Sequence, residues 1–323
     1  MTNLPYFDAD EVRTLLPYDR AVLALESALQ NDVDPEEDGP RLFSPAPNGE
    51  FLLMPAQGGA FSGVKALTIA PENPARGLEK IQGLYVLYSS DTLAPAAVLE
   101  GASLTAIRTP AVALLAVSRI AAAVKTPEQQ LPESPRILVF GAGVQAIGHV
   151  AAAHALYPSA RFEIIGRSPE RVAQLIAQFP ELDIVDRGSG HAADRDAAVS
   201  EADVILCTTT STTPLFDGSL VRDNAIVAAV GTHGLDAREL DDALVARSDI
   251  VVEGRKSART ENGNLSTALS DADWENTPPA NLKDLVAGRF VRTPGRPACY
   301  TGVGMSWEDL ICAAAVFTEG RSA

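Results

Sequence analysis

The amino-acid sequence predicts an α/β protein in which a doubly wound parallel sheet accompanies a second, α+β domain. Three observations support this fold class. From residue 136 onward, short apolar segments alternate with helix-like segments, the pattern of parallel strands joined by crossover helices. The segments expected to be strands, such as Ala225–Val230, are apolar throughout, as in strands covered on both faces. Before residue 125, β-like segments follow one another between Pro and Gly turns, which predicts a separate sheet.

Residues 1–125 are predicted to form the α+β domain. It begins with an amphipathic, Ala-rich helix at Tyr18–Asn31 and ends with an apolar helix at Leu104–Lys125, which Thr105 could cap. Between these helices the predicted strands are Arg41–Phe43, Glu50–Met54, Phe61–Ile69 and Ile81–Tyr88. The segment Thr126–Pro135, rich in Pro, Glu and Gln, is typical of a linker.

Residues 126–299 are predicted to form the parallel-sheet domain. Its expected strands are Ile137–Phe140, Phe162–Ile165, Leu182–Val185, Val204–Cys207, Ala225–Val230 and Ile250–Val252. Its expected helices are Val144–Leu156, Pro169–Gln178 and Leu240–Arg247. A Gly/Tyr turn at Tyr300–Gly304 and a helix at Trp307–Phe317 follow. We expect residues 300–323 to return to the first domain and complete it.

Composition excludes several classes of partner. The net charge of −16 disfavours binding to nucleic acid or to an anionic membrane, because neither attracts an acidic protein. The three cysteines have no CxxC spacing and the four histidines no metal-ligand pattern, so we expect reduced thiols and no metal site. We also expect no signal peptide and no membrane span. A cytoplasmic location is predicted on these grounds.

A glycine turn directly follows the first strand of the parallel-sheet domain. Ile137–Phe140 ends in Gly141–Ala142–Gly143, and a helix-like segment begins at once. Gly141 permits the tight turn, and Gly143 lets the backbone approach phosphates at the positive end of the helix. This strand–turn–helix pattern predicts a Rossmann-type dinucleotide site. Its predicted cofactor-binding residues are Gly141, Ala142, Gly143, Val144, Gln145 and Ala146.

The end of the second strand selects between the two nicotinamide cofactors. An acidic residue there would bind the ribose hydroxyl of NAD(H), but this strand ends in Gly166–Arg167–Ser168. A guanidinium and a hydroxyl suit a 2′-phosphate, so Arg167 and Ser168 favour NADP(H), with NAD(H) as the alternative. The competing interpretation is that Arg167 is a solvated residue at the start of a helix.

A run of six hydroxyl residues, Thr208–Thr213, follows the fourth strand. At the carboxyl end of a parallel strand, Thr208, Thr209 and Thr210 could donate hydrogen bonds to the ribose or the nicotinamide. A polar turn with no role in binding explains the same run equally well.

Several motifs outside the glycine turn resemble the ornithine cyclodeaminase/mu-crystallin family. They are Leu104–Thr105–Ala106–Ile107–Arg108–Thr109–Pro110–Ala111, Val64–Lys65, Val230–Gly231–Thr232–His233, Arg238–Glu239–Leu240 and Gly302–Val303–Gly304 before Glu308–Asp309. The resemblance extends over nearly the whole chain. It implies a homodimer and a small amino- or imino-acid substrate bound between the first domain and the nicotinamide. Gly231 and Thr232 are expected to contact the cofactor.

The resemblance further implies a cationic cluster that holds the substrate carboxylate, formed here by Arg41, Lys65 and Arg108. The residues themselves agree, because Arg binds a carboxylate bidentately and a buried Lys can titrate. Lys65 and Arg108 lie in apolar stretches, where an unpaired charge is costly and commonly functional. Glu308 and Asp309 are expected to cap the last helix through its dipole and to take no part in catalysis.

Two positions depart from the cyclodeaminase pattern. His233 stands where those enzymes carry an Asp, and Lys80 stands where they carry a substrate-contacting Thr. The sequence therefore predicts an NADP(H)-dependent oxidoreductase that acts on a carbon–nitrogen bond, such as a ketimine reductase, a pyrroline carboxylate reductase or an alanine-type dehydrogenase. Lys65 and His233 are the predicted catalytic residues, and a hydrogen-bonded loop histidine near the cofactor explains His233 equally well. Arg41, Lys65, Lys80 and Arg108 are the predicted substrate-binding residues.

Three alternatives remain open. Ornithine cyclodeaminase activity would use the same cofactor in a closed redox cycle and release ammonia. A biosynthetic enzyme would condense or cleave an unusual amino acid. A crystallin-like protein would bind NADPH without turnover.

Overall fold

The structure is a computed structural model that describes residues 4–188 and 192–322. The chain divides into two compact units. The first unit lies within residues 1–112 and 305–323, and the second comprises residues 113–304. The predicted domain limits at 125 and 300 remain predictions, and the two units are described separately below.

Before the parallel sheet in the chain, the structure describes a series of strands and α-helices. They are β1 (Tyr6–Phe7), α1 (Ala9–Leu15), α2 (Tyr18–Gln30), β2 (Leu42–Ala46), β3 (Gly49–Gly58), β4 (Phe61–Ile69), β5 (Ile81–Ser89), β6 (Pro95–Glu100) and α3 (Gly101–Ala122).

The following elements complete the chain. They are β7 (Arg136–Phe140), α4 (Val144–Leu156), β8 (Arg161–Ile165), α5 (Pro169–Ala177), β9 (Ile184–Asp186), α6 (Ala192–Glu201), β10 (Val204–Cys207), β11 (Ile226–Ala229), α7 (Asp242–Arg247), β12 (Asp249–Val252), α8 (Arg255–Glu261), α9 (Asp271–Asn276), β13 (Ala280–Asn281), α10 (Leu282–Val286), β14 (Ala298–Thr301) and α11 (Ser306–Ser322).

The first unit is built on a six-stranded sheet in the order β1-β6-β5-β4-β3-β2. Its neighbouring strands are antiparallel, except that the short β1 runs parallel to β6. Along β3 and β4, buried residues alternate with partly exposed ones, so one face of the sheet is covered. Helix α11 packs against β3, β4 and β5. The register places Lys65 of β4 between Met54 and Tyr85 of the neighbouring strands.

Helix α11 receives its cap from a distant segment of the first unit. The carboxylate of Asp38 accepts hydrogen bonds from the backbone N–H of Ser306 at 2.8 Å and of Trp307 at 2.9 Å. Two N–H groups that the helix leaves unpaired are thereby satisfied. Burial raises the pKa of Asp38, whereas these N–H donors and the Arg41 guanidinium lower it. The first turn of α11, which carries Glu308 and Asp309, is held in place by this contact.

The second unit contains an eight-stranded sheet in the order β13-β12-β14-β11-β10-β7-β8-β9, and all its pairs are parallel. The chain moves from β7 to one edge through β8 and β9, and then to the other side from β10 onward. The strand order reverses between β7 and β10, where doubly wound folds bind ligands. The predicted fold class is confirmed. The central strands β7, β10 and β11 are almost wholly buried, as their apolar sequences predicted.

The predicted turn at Tyr300–Gly304 is wrong in its first part. Ala298–Thr301 forms β14, a buried strand that lies between β11 and β12 in the middle of the parallel sheet. A strand of four residues is too short to show a period, and the glycine that follows it, Gly302, favoured a turn. Only the pairing with two neighbouring strands identifies it.

The prediction for the long apolar helix is wrong at both ends. It was expected at Leu104–Lys125 with Thr105 as cap, but α3 runs from Gly101 to Ala122 and Thr105 lies inside it. The Glu100 carboxylate accepts from the N–H of Ala102 at 3.0 Å and from that of Ser103, and so provides the cap.

The remaining predicted elements are present, with shifts of a few residues at several ends. Strands β1, β6 and β13 and helices α1, α6, α8, α9 and α10 were not predicted; apart from β6, all of these are short or strongly polar.

Helix α3 is the one described helix with the length and hydropathy of a membrane span, and 72% of its most apolar window is buried inside the protein. A core helix has the same properties. Within residues 4–188 and 192–322, no group of His, Cys, Asp and Glu side chains is arranged to hold a metal ion.

Candidate functional site

The glycine turn after β7 has the geometry of a phosphate-binding turn. Gly141 has a φ of +121°, and a Cβ there would lie 2.5 Å from the hydroxyl of Thr208. Only glycine is compatible with that backbone and that contact. A Cβ on Gly143 would instead meet no atom within 4 Å, so the space beside this residue is open.

Helix α4 begins directly at this open space. Gly143 is its N-cap residue and provides no side-chain hydrogen bond, so the N–H groups of the first turn have no side-chain cap. Uncapped N–H groups and the helix dipole together bind anions. Ala146 is fully buried, which a small residue permits where the helix packs on the sheet. The turn therefore fits the pyrophosphate of a dinucleotide.

The end of β8 carries the residues predicted to select the cofactor. A Cβ on Gly166 would lie 2.6 Å from Val172, so the chain turns closely over α5 at this point. Arg167 is exposed. The Ser168 hydroxyl accepts from the N–H of Arg171 at 3.3 Å and donates to Glu170 at 2.8 Å, so it caps α5. The carboxylate of Glu163, inside the strand, is paired with Arg136 and Arg187.

The hydroxyl run after β10 is partly bound by the protein itself. Thr208 donates its hydroxyl hydrogen to the carbonyl of Phe140 at 2.8 Å, and Thr209 donates to Glu239 at 2.8 Å. Thr210 is exposed. In the loop after β11, the N–H of Gly231 donates to Glu239 at 2.9 Å.

Thr232 is buried in the same loop, and its neighbour His233 is exposed. The Nε2 atom of His233 lies 3.2 Å from the carboxylate of Glu261. Sequence reasoning did not identify Glu239 or Glu261 as partners of these loops, because each lies eight or more residues from the residue that it contacts.

Two buried cations lie in the first unit, each paired with a carboxylate of α11. Lys65 is 1% exposed, and its Nζ lies 2.9 Å from both carboxylate oxygens of Asp309 and 3.0 Å from the Thr105 hydroxyl. Arg108 Nη1 lies 2.8 Å from Glu308, and Arg108 Nε lies 3.5 Å from Asp309. The structure thus brings together β4, α3 and α11 at one polar cluster.

The sequence-based role of Glu308 and Asp309 is wrong. They were expected to cap the last helix, but both are buried and form the ion pairs with Arg108 and Lys65, while Asp38 caps the helix. They lie about 200 residues or more from Arg108 and Lys65 in the chain, so the sequence alone does not show that they pair. Two adjacent carboxylates following an apolar segment were the available signal.

The surroundings of Lys65 in this cluster shift its pKa. Burial lowers the pKa of Lys65 to about 8, with a further lowering by the Arg108 guanidinium. The Asp309 carboxylate opposes this shift and limits it. A lysine that titrates near neutral pH can both donate and accept a proton under ordinary conditions.

The other two predicted substrate-binding residues differ in their surroundings. Arg41 is half-buried and interacts electrostatically with Asp38, which binds the first turn of α11. Lys80 is exposed just before β5, five residues from Tyr85, the cross-strand neighbour of Lys65. Five residues of extended chain span roughly 17 Å, so the backbone of Lys80 is remote from that of Lys65 in the sheet.

The fold, the glycine turn after β7 and the buried cluster of Lys65 and Arg108 together define a class of protein. The second unit is a Rossmann-type dinucleotide-binding unit, and the first carries a buried Lys–Arg cluster suited to a carboxylate. The chain belongs to the ornithine cyclodeaminase/mu-crystallin family, whose model matches residues 7–322. The resemblance carried by the sequence motifs is confirmed.

Similar proteins include named reductases. A Δ1-pyrroline-2-carboxylate/Δ1-piperideine-2-carboxylate reductase of Azospirillum brasilense is 32% identical over 317 residues, which cover 96% of this chain and 94% of that protein.

Solved structures share the fold. A Thermococcus litoralis Δ1-pyrroline-2-carboxylate reductase in complex with NADH and L-proline matches with a TM-score of 0.81 and 22% identity, covering 99% of this chain and 98% of that one. The iminosuccinate reductase of Paracoccus denitrificans in complex with NAD⁺ matches with a TM-score of 0.81 and 23% identity, covering 99% and 97%.

We predict that the folded chain is stable only when the buried charges of Lys65 and Asp309 are paired with each other. Asp309→Leu should lower the free energy of unfolding by about 3–5 kcal/mol, because it leaves the Lys65 charge without its main partner. Adding Lys65→Met should restore most of that loss. Urea denaturation of the single and double variants measures both effects.

The exposed pair Arg13–Asp10 provides a matched control, since its side chains are 58% and 94% exposed. Asp10→Leu should change the free energy of unfolding by less than about 1 kcal/mol. A double variant as unstable as Asp309→Leu alone would contradict the interpretation.

Proposed function

We propose that this protein is an NAD(P)H-dependent reductase of a small cyclic imino acid, such as pyrroline-2-carboxylate. The relatives with this activity in their names support the substrate class, and the uncapped glycine turn after β7 supports the cofactor. The observation that carries the proposal is the buried cluster of Lys65 and Arg108. It offers one group for a carboxylate and one group that titrates near neutral pH.

The carboxylate of the imino acid is assigned to Arg108. Guanidinium and carboxylate form parallel hydrogen bonds, and the contacts with Glu308 and Asp309 fix the orientation of the Arg108 plane. Arg41 contributes positive charge near the same helix terminus. Fixing the acid end of the substrate fixes the position of its C=N bond.

The proton is assigned to Lys65. Reduction of the C=N bond adds a hydride to carbon and a proton to nitrogen, and the product is a cyclic amino acid. Protonated Lys65 donates to the nitrogen side, and Asp309 and Thr105 hold its ammonium group in one place. When bound, the nicotinamide cofactor supplies the hydride.

A substrate screen tests this function. Purified protein with NADPH or NADH should consume cofactor with Δ1-pyrroline-2-carboxylate and Δ1-piperideine-2-carboxylate, followed at the cofactor absorbance. Ornithine should give neither proline nor ammonia. Arg108→Leu should lower kcat/KM by roughly 100-fold or more, because the carboxylate loses its bidentate partner, while cofactor affinity stays unchanged.

Two outcomes would contradict the proposal. Proline formed from ornithine without net cofactor consumption would identify a cyclodeaminase. Loss of cofactor affinity in Arg108→Leu would show that Arg108 does not bind the substrate.

The pH dependence of the reaction should follow Lys65. The protonated form donates, and its pKa is about 8 in the folded chain. For imine reduction, kcat/KM should therefore be level below about pH 8 and fall roughly tenfold per unit above it. The reverse oxidation needs neutral Lys65 and should rise with pH up to the same value. Steady-state rates in both directions measure the two limbs.

Lys65→Met should remove the alkaline limb and lower the rate by roughly 100-fold or more. If the limb persists in Lys65→Met and is lost in His233→Gln, the proton donor is His233.

We infer a preference for NADP(H) from Arg167, which lies two residues after the end of β8, where an NAD(H)-dependent enzyme would carry an acidic residue. Arg167→Ala should raise the Kd of NADPH by about 10- to 100-fold, because the 2′-phosphate loses a charge-assisted partner. The Kd of NADH should change less than about threefold. Titration of cofactor fluorescence measures both constants, and equal effects on the two cofactors would contradict the preference.

We also propose that the protein is a cytoplasmic homodimer that binds neither nucleic acid nor membranes. The net charge of −16 supports the absence of polyanionic partners. The three cysteines are free and buried, which suits a reducing compartment. Exposed apolar side chains on the sheet of the first unit, among them Leu42, Phe43 and Phe51, support association with a second copy.

A further inference from the structure

A buried glutamate joins the ends of two neighbouring strands in the second unit. Glu239 is fully buried. One carboxylate oxygen accepts from the N–H of Thr209 at 2.6 Å and from its hydroxyl at 2.8 Å. The other accepts from the N–H of Gly231 at 2.9 Å. Thr209 follows β10 and Gly231 follows β11, so a single carboxylate connects the loops at the carboxyl ends of both strands.

The two loops are also in backbone contact. A Cβ on Gly231 would lie 2.1 Å from the carbonyl oxygen of Thr209, 2.3 Å from its nitrogen and 2.7 Å from a carboxylate oxygen of Glu239. The loops approach this closely only because Gly231 has no side chain. Their spacing is therefore set by the glutamate and the glycine together.

A buried amide anchors the glutamate in turn. The side-chain oxygen of Asn264 accepts from the N–H of Glu239 at 2.7 Å and of Leu240 at 3.0 Å. Its amide nitrogen donates to the hydroxyl of Thr301 at 3.1 Å, at the end of β14. The network therefore extends across the carboxyl ends of three neighbouring strands, β10, β11 and β14. Such networks are rigid when every member is satisfied.

Glu239 has no ion pair among the residues that the structure describes. The charged and titratable groups on the surrounding elements are Cys207 on β10; His233, Asp236 and Arg238 in the loop after β11; Asp241, Asp242 and Arg247 at α7; Arg255, Lys256, Arg259 and Glu261 on α8; and Cys299 and Tyr300 on β14. Of the basic side chains, His233 contacts Glu261, Arg238 contacts Asp242, Arg247 contacts Asp223, Arg255 contacts Asp284 and Arg259 contacts Asp271. The carboxylate is balanced by neutral donors alone.

Burial raises the pKa of Glu239 to about 7, against the lowering effect of its three donors. The ordinary value of 4.5 applies in the unfolded chain. Between pH 4.5 and about 7, Glu239 is largely protonated in the folded chain and largely ionised in the unfolded chain. The free energy of unfolding therefore falls as pH rises toward 7. Ionisation of Glu239 thus lowers the stability of the folded chain. The residue lies at the edge of the sheet where a dinucleotide is expected to bind, and destabilised charges of this kind are typical of functional sites.

We propose that Glu239 is a positioning residue for the dinucleotide, which as a carboxylate fixes the spacing of the loops after β10 and β11 and releases it when protonated. This inference rests on the proposed nicotinamide cofactor. Dinucleotides lie along the carboxyl edge of such a sheet, where these loops begin. Only the ionised form accepts at both oxygens. The proton fits only on the oxygen beside the Thr209 hydroxyl, which then accepts instead of donating, and the N–H of Thr209 loses its charge-assisted contact.

The test is the affinity for NADH as a function of pH, measured by fluorescence titration of the whole chain. NADH is chosen because it lacks the 2′-phosphate, which titrates in the same range. The wild type should bind NADH about tenfold more weakly near pH 6 than near pH 8.5, because protonation removes one contact to a charged group. Glu239→Gln should bind weakly at both pH values, with no dependence on pH.

Asp203→Asn is the matched control. Asp203 is also a buried carboxylate that accepts from a backbone N–H, that of Arg136 at 2.9 Å, but it lies at the amino end of β10. This variant should keep the affinity and the pH dependence of the wild type, even if its melting temperature falls. His233→Gln should also keep the pH dependence, and it tests whether the imidazole close to Gly231, rather than Glu239, is responsible for it.

The outcomes separate the possible failures. No binding of NADH or NADPH by the wild type would refute the proposed function, and with it this inference. Binding by the wild type with an unchanged pH profile in Glu239→Gln would overturn the inference alone. Loss of the pH dependence in His233→Gln, or equal loss of affinity in Asp203→Asn, would overturn it as well. If Glu239→Gln does not fold, the wild-type and His233→Gln profiles still decide the question.

Discussion

The burial of two cations beside two carboxylates is the constraint on which the first unit depends. Lys65 and Arg108 are almost entirely removed from water, and a charge in that position is tolerated only with a partner. Asp309 and Glu308 provide the partners from the first turn of α11, which in turn is capped by Asp38. A strand, a long helix and the last helix of the chain thus meet at one polar cluster. Burial in the same arrangement lowers the pKa of Lys65 to about 8, the property that the proposed proton transfer requires.

At the ends of its central strands the second unit has a buried carboxylate that, within the described part of the chain, is not paired with a cation. Close backbone approaches at Gly141 and Gly231 are combined with one buried carboxylate, Glu239, that accepts only from neutral donors. The glycine turn leaves open space and free N–H groups for phosphates, and the glutamate network leaves little freedom to the neighbouring loops. Binding energy at such an edge comes from donors that are already oriented, because no entropy is then lost in ordering them.

Much of the fold could be predicted because its signals are local. The strand at Phe61–Ile69 and the helix at Val144–Leu156 have the bounds that the sequence predicted, since apolar pattern and turn residues delimit them. The family followed from motifs, and the Lys65–Arg108 cluster followed from the family together with the apolar stretches around both residues. Strand β14 and the ion-pair roles of Glu308 and Asp309 were missed. Each depends on partners that lie far away in the chain, and residue type alone does not identify them.

The sequence by itself determined the fold class, the dinucleotide turn and the two cations, because glycines after an apolar strand and charges inside apolar segments have few structural solutions. Only the tertiary structure decided what neutralises those cations, what caps the last helix, and that Glu239 joins two strand ends. These contacts connect residues separated by up to 269 positions, and their energies depend on burial and distance. Neither quantity exists until the chain is folded.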